Sequence, residues 1–203
     1  MVHPQGCAAG HTRRHARRPV TRLTLVRHGR AAGGWDDDLD PGLDDLGRAQ
    51  AEAMAELVAP LGPLPILVSP LRRTRETAAP LERRWDSAAI VDPAVGEVPS
   101  PPDVPMHART TWLRDAMGGT WADIGAEYMA WRDGVVARLL AVDVDTVVVS
   151  HFIAINAAIG AAVGSDQIVV AALDNCSRTI IDAVDGRLIL VEQGSEAPDT
   201  LVR

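Results

Sequence analysis

The chain has no lysine: all twenty of its basic residues are arginine. That reads as a coding bias rather than a mechanism. Only Cys7 and Cys176 are present, too few for a disulfide framework, so a reducing cytoplasm is the expected compartment. No stretch approaches the ~20 consecutive apolar residues of a membrane helix, and no membrane partner is expected. The first nineteen residues contain no apolar h-region, which excludes a secretory signal. Acidic residues are missing from residues 1–22, which hold five arginines; the remainder then carries 15 arginines against 27 acids, a net −12. An acidic body argues against a nucleic-acid surface. Positive potential in any anion site must therefore come from a few placed arginines. No His, Cys, Asp or Glu spacing matches a metal cage, so neither a metal nor another cofactor is expected.

What is present suits one globular domain. The chain has 203 residues, 47% of them hydrophobic, enough for a sizeable core, with no internal repeat. Residues 1–19 lack apolar periodicity. His3, His11 and His15 stand there among Arg13, Arg14, Arg17 and Arg18, and the segment reads as a disordered, dispensable basic tail. A transit peptide or a misassigned start codon would account for it as well. Residues 20–203 read as a single domain.

Three short apolar runs each end in a polar or basic cluster. Leu23-Thr24-Leu25-Val26 stops at Arg27-His28-Gly29. Ile66-Leu67-Val68 stops at Ser69-Pro70-Leu71-Arg72-Arg73. Thr146-Val147-Val148-Val149 stops at Ser150-His151. Runs of this kind suit buried strands. If they lie parallel in one sheet, their ends meet on one rim, where α/β sheets bind ligands. That rim would hold His28, His151, Arg27 and Arg73: an anion site with a nucleophile inside it. Gly29 would let backbone approach a ligand closely.

Helical periodicity over Leu43, Leu46, Ala53, Met54, Leu57 and Val58 predicts a helix capped by Asp44 or Asp45 and reaching Val58. A second helix is predicted from about Leu71 to Trp85, with Arg73 in its first turn, where free N–H groups favour a phosphate. Ala89-Ile90-Val91 reads as a strand, and Val95-Gly96-Glu97-Val98 follows. A proline-rich stretch from Pro99 to Pro105 leads into a short helix around Trp112-Leu113; together they read as a pocket wall at about 97–120. Trp121, Ile124, Tyr128, Trp131, Val135, Val136, Leu139 and Leu140 form one long amphipathic stripe. A further apolar helix spans Phe152 to Val163. A hairpin joins 178–183 to 187–193 through Asp185-Gly186. The Asp36-Asp37-Asp38 run reads as solvated surface rather than a cation site. Cys176 reads as a small, mostly buried residue.

In order and spacing, from about Arg22 to about Gln193, the chain resembles the histidine phosphatase superfamily, the phosphoglycerate mutase-like group. The resemblance rests on Leu25-Val26-Arg27-His28-Gly29, Asp40 to Leu43 with Gly47 and Gln50-Ala51, Ser69-x-Leu71-x-Arg73 with Thr77-Ala78, Ser150-His151, and Asn175-Cys176-Ser177. It implies an α/β three-layer sandwich with a mostly parallel central sheet flanked by helices. It also implies a metal-independent phosphomonoester hydrolase in which His28 takes the phosphoryl group, Arg27, Arg73 and His151 grip it, and Glu97 is the proton donor. The substrate would be a small phosphorylated metabolite. Phosphoglycerate mutase-type transfer and a non-catalytic phospho-ligand binder are the alternatives.

Some positions depart from the family pattern. Arg30 stands where a glutamate is common and Gly33-Gly34 where an asparagine is. Arg30 is either a cation for a second anionic group or an outward surface arginine. Phe152 replaces the usual glycine after His151, and either narrows the pocket or turns into the core. Val98-Pro99-Ser100-Pro101 replaces a Gly-rich segment after Glu97. An acid of the Asp36 to Asp40 loop is the alternative proton donor.

Overall fold

The computed structural model describes residues 20–34 and 38–197. The basic tail and Trp35, Asp36 and Asp37 lie outside them. Four parallel strands form the sheet's core: β1 (Thr21–Arg27), β2 (Ile66–Val68), β3 (Ile90–Val91) and β4 (Thr146–Ser150). The antiparallel hairpin β5 (Arg178–Val184) and β6 (Arg187–Glu192) closes one side, giving the order β3-β2-β4-β1-β5-β6.

The strand sequences explain the layers. Alternate residues of a strand face opposite sides. Leu23, Leu25, Leu67 and Val148 point into one core, and Val26, Ile66, Val68, Val147 and Val149 into the other. Both faces of β1, β2 and β4 are therefore apolar, as a sheet covered on both sides requires. Helices α1 (Asp45–Val58) and α2 (Arg72–Trp85) cover one face. On the other lie α3 (Arg109–Met117), α4 (Trp121–Ile124), α5 (Ala126–Leu140) and α6 (Phe152–Val163). This is the three-layer α/β sandwich with a mostly parallel sheet.

Several local expectations need correction. The helical period of α1 holds and Asp44 is its cap, accepting the Gly47 N–H at 2.7 Å. The face it buries is Gly47, Ala51, Met54, Ala55 and Val58, while Leu46 and Leu57 are exposed. The stripe from Trp121 to Leu140 is two helices. Gly125 between them has φ +109°, a value that side chains disfavour, and the chain turns there. After β3 a 3-10 turn at Pro93–Val95 leads into the irregular segment that carries Glu97. Cys176 is mostly buried, as its small apolar character suggests; its φ is +56° and its N–H reaches the Arg27 carbonyl at 3.0 Å.

Candidate active site

Parallel register brings the three strand ends together. Arg27 pairs with Ser150, and Val68 with Val149. The next residues remain linked: the His28 N–H donates to the Ser150 carbonyl at 3.0 Å, and the Ser69 N–H to that of Val149 at 3.1 Å. His28 and His151 thus face each other edge to face, with ring centroids 5.2 Å apart. Arg27, His28 and Arg73 are buried, and His151 is fully so.

The turn after β1 is held on both sides. Gly29 packs on α1 so closely that a Cβ there would lie 2.6 Å from the Gly47 carbonyl oxygen. A Cβ on Gly47 would lie 2.1 Å from that of Arg30. The backbone that approaches Gly29 is therefore α1, not a ligand. The Gly29 N–H donates to Thr77 Oγ1 at 3.0 Å, and Asn175 Nδ2 to the His28 carbonyl at 2.9 Å.

Hydrogen bonds assign the imidazole of His28. Its Nδ1 faces the Gly29 carbonyl at 2.8 Å, so Nδ1 carries the proton. Arg73 Nε–H donates to His28 Nε2 at 3.3 Å, so Nε2 bears the lone pair. Burial, then Arg73 and Arg27, hold the His28 pKa well below the ordinary histidine value. The same burial and charges depress that of His151. His151 Nε2 lies 2.7 Å from Ser69 Oγ.

Three buried nitrogens of this cluster have no partner among the described residues: Arg27 Nε, Arg73 NH1 and His151 Nδ1. Buried donors left unpaired are costly, and an oxyanion in their midst would satisfy them. Arg27 NH1 is already engaged with the Leu173 carbonyl at 2.5 Å. Its guanidinium sits 4.9 Å over the Phe152 ring, an arrangement that contributes about 0.5–2 kcal/mol. Phe152 is buried and also lines the adjoining cavity.

That cavity, about 240 Å³, has Arg27, His28, Arg73 and Glu97 in its lining. Leu46, the exposed leucine of α1, stands in its wall. Glu97 is half-buried, with its carboxylate receiving the Val98 N–H at 2.9 Å and facing the Ile153 N–H at the start of α6. Burial pushes its pKa up to about 7, against the pull of those N–H groups and of Arg73 and Arg27. Arg30 also lines the cavity, but its Nε is held by Asp44 at 2.5 Å. Asp40 accepts the Arg72 N–H at 2.6 Å, which takes one of the free N–H groups expected at the start of α2, and its charge acts on the neighbouring Arg73.

Sequence reasoning named the histidines, the arginines and Glu97 of this cluster but gave no role to Ser69, Thr77, Asn175 or the acidic Asp174. The first three stood inside the recognised motifs; their signal was position, not chemistry. Among the described residues no three His, Cys, Asp or Glu side chains gather as a metal cage, and no helix is long and apolar enough to cross a membrane.

A rim of strand ends carrying two histidines and two buried arginines, in a three-layer α/β sandwich, defines a phosphoryl-handling class of protein. The chain belongs to the histidine phosphatase superfamily (branch 1), whose profile matches residues 23–195. Glucosyl-3-phosphoglycerate phosphatase of Mycolicibacterium vanbaalenii is 35% identical over 122 residues, which are 56% of this chain and 48% of that protein. The chain thus spans about half the length of the curated relatives it matches. Among solved structures, a mycobacterial glucosyl-3-phosphoglycerate phosphatase superposes with a TM-score of 0.67 at 25% identity, covering 87% of this chain and all of the other. A protein described as mycobacterial hydrolase 1 superposes with a TM-score of 0.69 at 25% identity, over 88% of this chain and all of the other.

Proposed function

We propose that the protein is a phosphoric monoester hydrolase that works through a phosphohistidine at His28 Nε2, on a small phosphorylated metabolite. The observation that carries this is the neutral, buried His28 whose free lone pair is met by Arg73. A nucleophile must be deprotonated at the attacking atom and close to charges that can hold the phosphoryl oxygens.

The reaction runs in two steps. His28 Nε2 attacks phosphorus while the P–O bond to the alcohol breaks. Arg27, Arg73 and His151 take the charge spreading over the three remaining oxygens. Glu97, with its pKa of about 7, passes its proton to the departing oxygen. Water then attacks the phosphohistidine, gives its proton to Glu97, and inorganic phosphate leaves as His28 is restored. The arginines supply the positive charge, so turnover should survive prolonged EDTA treatment within about twofold.

The test is a quench. Wild-type protein mixed with p-nitrophenyl phosphate should yield an acid-labile, base-stable phosphoryl adduct. His28→Ala should lose both adduct and turnover. Undiminished turnover in that variant would end the proposal. The glucosyl-3-phosphoglycerate phosphatase relatives make sugar- or glycerate-bearing phosphomonoesters the first compounds to screen.

A further inference from the structure

Arg73 and Glu97 line not one cavity but two. The second, about 150 Å³, shares these two residues with the first and is otherwise walled by Leu39, Leu71, Val98, Ser100 and Arg109, with Asp38 also lining it. Arg109 opens α3, in the proline-rich wall.

Arg109 differs from the other arginines among the described residues. Arg30, Arg132, Arg138 and Arg178, also part-buried, each hold a carboxylate. Arg75, Arg114 and Arg187 hold none but are exposed to water. Arg27 and Arg73 belong to the phosphoryl site. Arg109 is half-buried, with no hydrogen bond or ion pair among the described residues, and its buried Nε is unpartnered. A guanidinium withdrawn from water without a counter-ion is unfavourable unless something anionic arrives to meet it.

The position of Glu97 says what could arrive. If Glu97 protonates the leaving oxygen, the alcohol portion of the substrate lies against it, and Glu97 forms part of the second cavity's wall. That alcohol portion can then extend past Glu97 toward Arg109. Around the first cavity the alternatives are poorer for an anion. Arg30 is already neutralised by Asp44 at 2.5 Å, and Asp174, Asn175 and Gln50 line the rest. Asp38, the one unused acid of the second cavity, is exposed, and its Oδ1 accepts the Asp40 N–H at 3.0 Å.

We propose that Arg109 reads a second anionic group, a carboxylate or phosphate, on the alcohol side of the substrate, which makes the substrate class doubly acidic phosphomonoesters. This rests on the hydrolase reading of the same site, and the test separates the two. Binding is measured by titration calorimetry on the His28→Ala variant, which cannot turn over. The probes are glycerol 3-phosphate, 3-phosphoglycerate (a carboxylate in place of one hydroxymethyl group) and glycerol 1,3-bisphosphate (a second phosphate).

At least one of the two acidic probes should bind roughly tenfold or more tighter than glycerol 3-phosphate; which one does so identifies the acid. Adding Arg109→Ala should cut that preference to under about threefold, while Arg109→Lys, which keeps the charge but not the fork, should retain part of it. Equal binding of all three probes would overturn the inference. So would a preference that survives Arg109→Ala, or one abolished by Arg30→Ala instead. Failure of the hydrolase reading would show separately, as absent turnover of p-nitrophenyl phosphate by the protein with His28 and Arg109 intact.

Discussion

Arg73 Nε points at His28 Nε2 from 3.3 Å, so the residue that would hold the incoming phosphoryl group also holds the nucleophile's lone pair in the absence of substrate. The contact has two effects. It fixes the imidazole's rotation, and, after burial, it is the largest cause of the depressed His28 pKa. Arg73→Met should therefore do more than weaken phosphate binding. Removing the charge lets His28 accept a proton at higher pH, so the acidic limb of kcat/KM should move upward in pH while the plateau falls by at least about 100-fold. An acidic limb unmoved by the substitution would assign Arg73 to binding alone.

Ser69 is fully buried, and its hydroxyl is the partner of His151 Nε2 at 2.7 Å. The Leu71 N–H approaches the same oxygen at 3.5 Å. With that N–H as donor to the hydroxyl oxygen, the hydroxyl proton goes to Nε2, and Nδ1 then carries the imidazole proton. Nδ1 is the unpartnered nitrogen, and as an N–H it can donate to a phosphoryl oxygen. Ser69→Ala should lower kcat/KM about 10- to 100-fold, equivalent to leaving one buried acceptor unpaired. Ser69→Thr should recover most of it. Nitrogen chemical shifts of His151 should report the Nδ1–H tautomer in wild type and a mixed population in Ser69→Ala. Unchanged shifts would mean that Ser69 only packs.

Gly29 and Gly47 form a backbone contact between the nucleophile's turn and α1. Gly47→Ala places a methyl group 2.1 Å from the Arg30 carbonyl oxygen and 2.9 Å from its nitrogen, and neither backbone atom can swing aside. The turn or the helix must shift. A stability loss on the order of 3 kcal/mol is expected from overpacking, read by urea denaturation, together with a fall in kcat as His28 leaves its place. Full stability in Gly47→Ala would show that the helix slides without cost.

Much of this was legible in the chain because strand ends announce themselves. The apolar runs before Arg27, Ser69 and Ser150 have no other use than a doubly covered sheet, and the polar clusters that follow must share its rim. The cap at Asp44 and the end of α6 at Val163 were equally readable, since caps and periods are local. The faces were not. Leu46 keeps helical spacing with Met54 yet is exposed, because its neighbour is the cavity, and no period records that. Gly125 interrupted a stripe whose spacing ran on unbroken. Ser69, Asn175 and Arg109 went unassigned for a related reason. Their importance lies in what stands opposite them, His151, the His28 carbonyl and the second cavity, and such partners are set by the fold rather than by neighbours in sequence.

Glu97 links chemistry to stability through one proton. In the folded protein it keeps that proton up to about pH 7, whereas an ordinary glutamate loses it near 4.5. A group whose folded pKa is raised contributes stability that is fully present below its unfolded pKa and is lost as pH rises through its folded value. Glu97→Gln keeps the shape and removes the titration. The melting temperature of the variant minus that of wild type should therefore grow between about pH 4.5 and pH 8. His28 and His151, with depressed values, act in the opposite sense, losing stability as pH falls below the ordinary histidine range, but they are common to both proteins and cancel in the difference. Activity should move the other way. On an alkyl phosphate, whose alkoxide needs a proton, Glu97→Gln should lose roughly 10²–10⁴-fold, and far less on p-nitrophenyl phosphate. The decline of wild-type turnover above about pH 7 on the alkyl substrate should also be absent from the variant. Equal slowing on both substrates, with no pH-dependent gain in melting temperature, would make Glu97 a wall residue and pass the proton donor's role to another group.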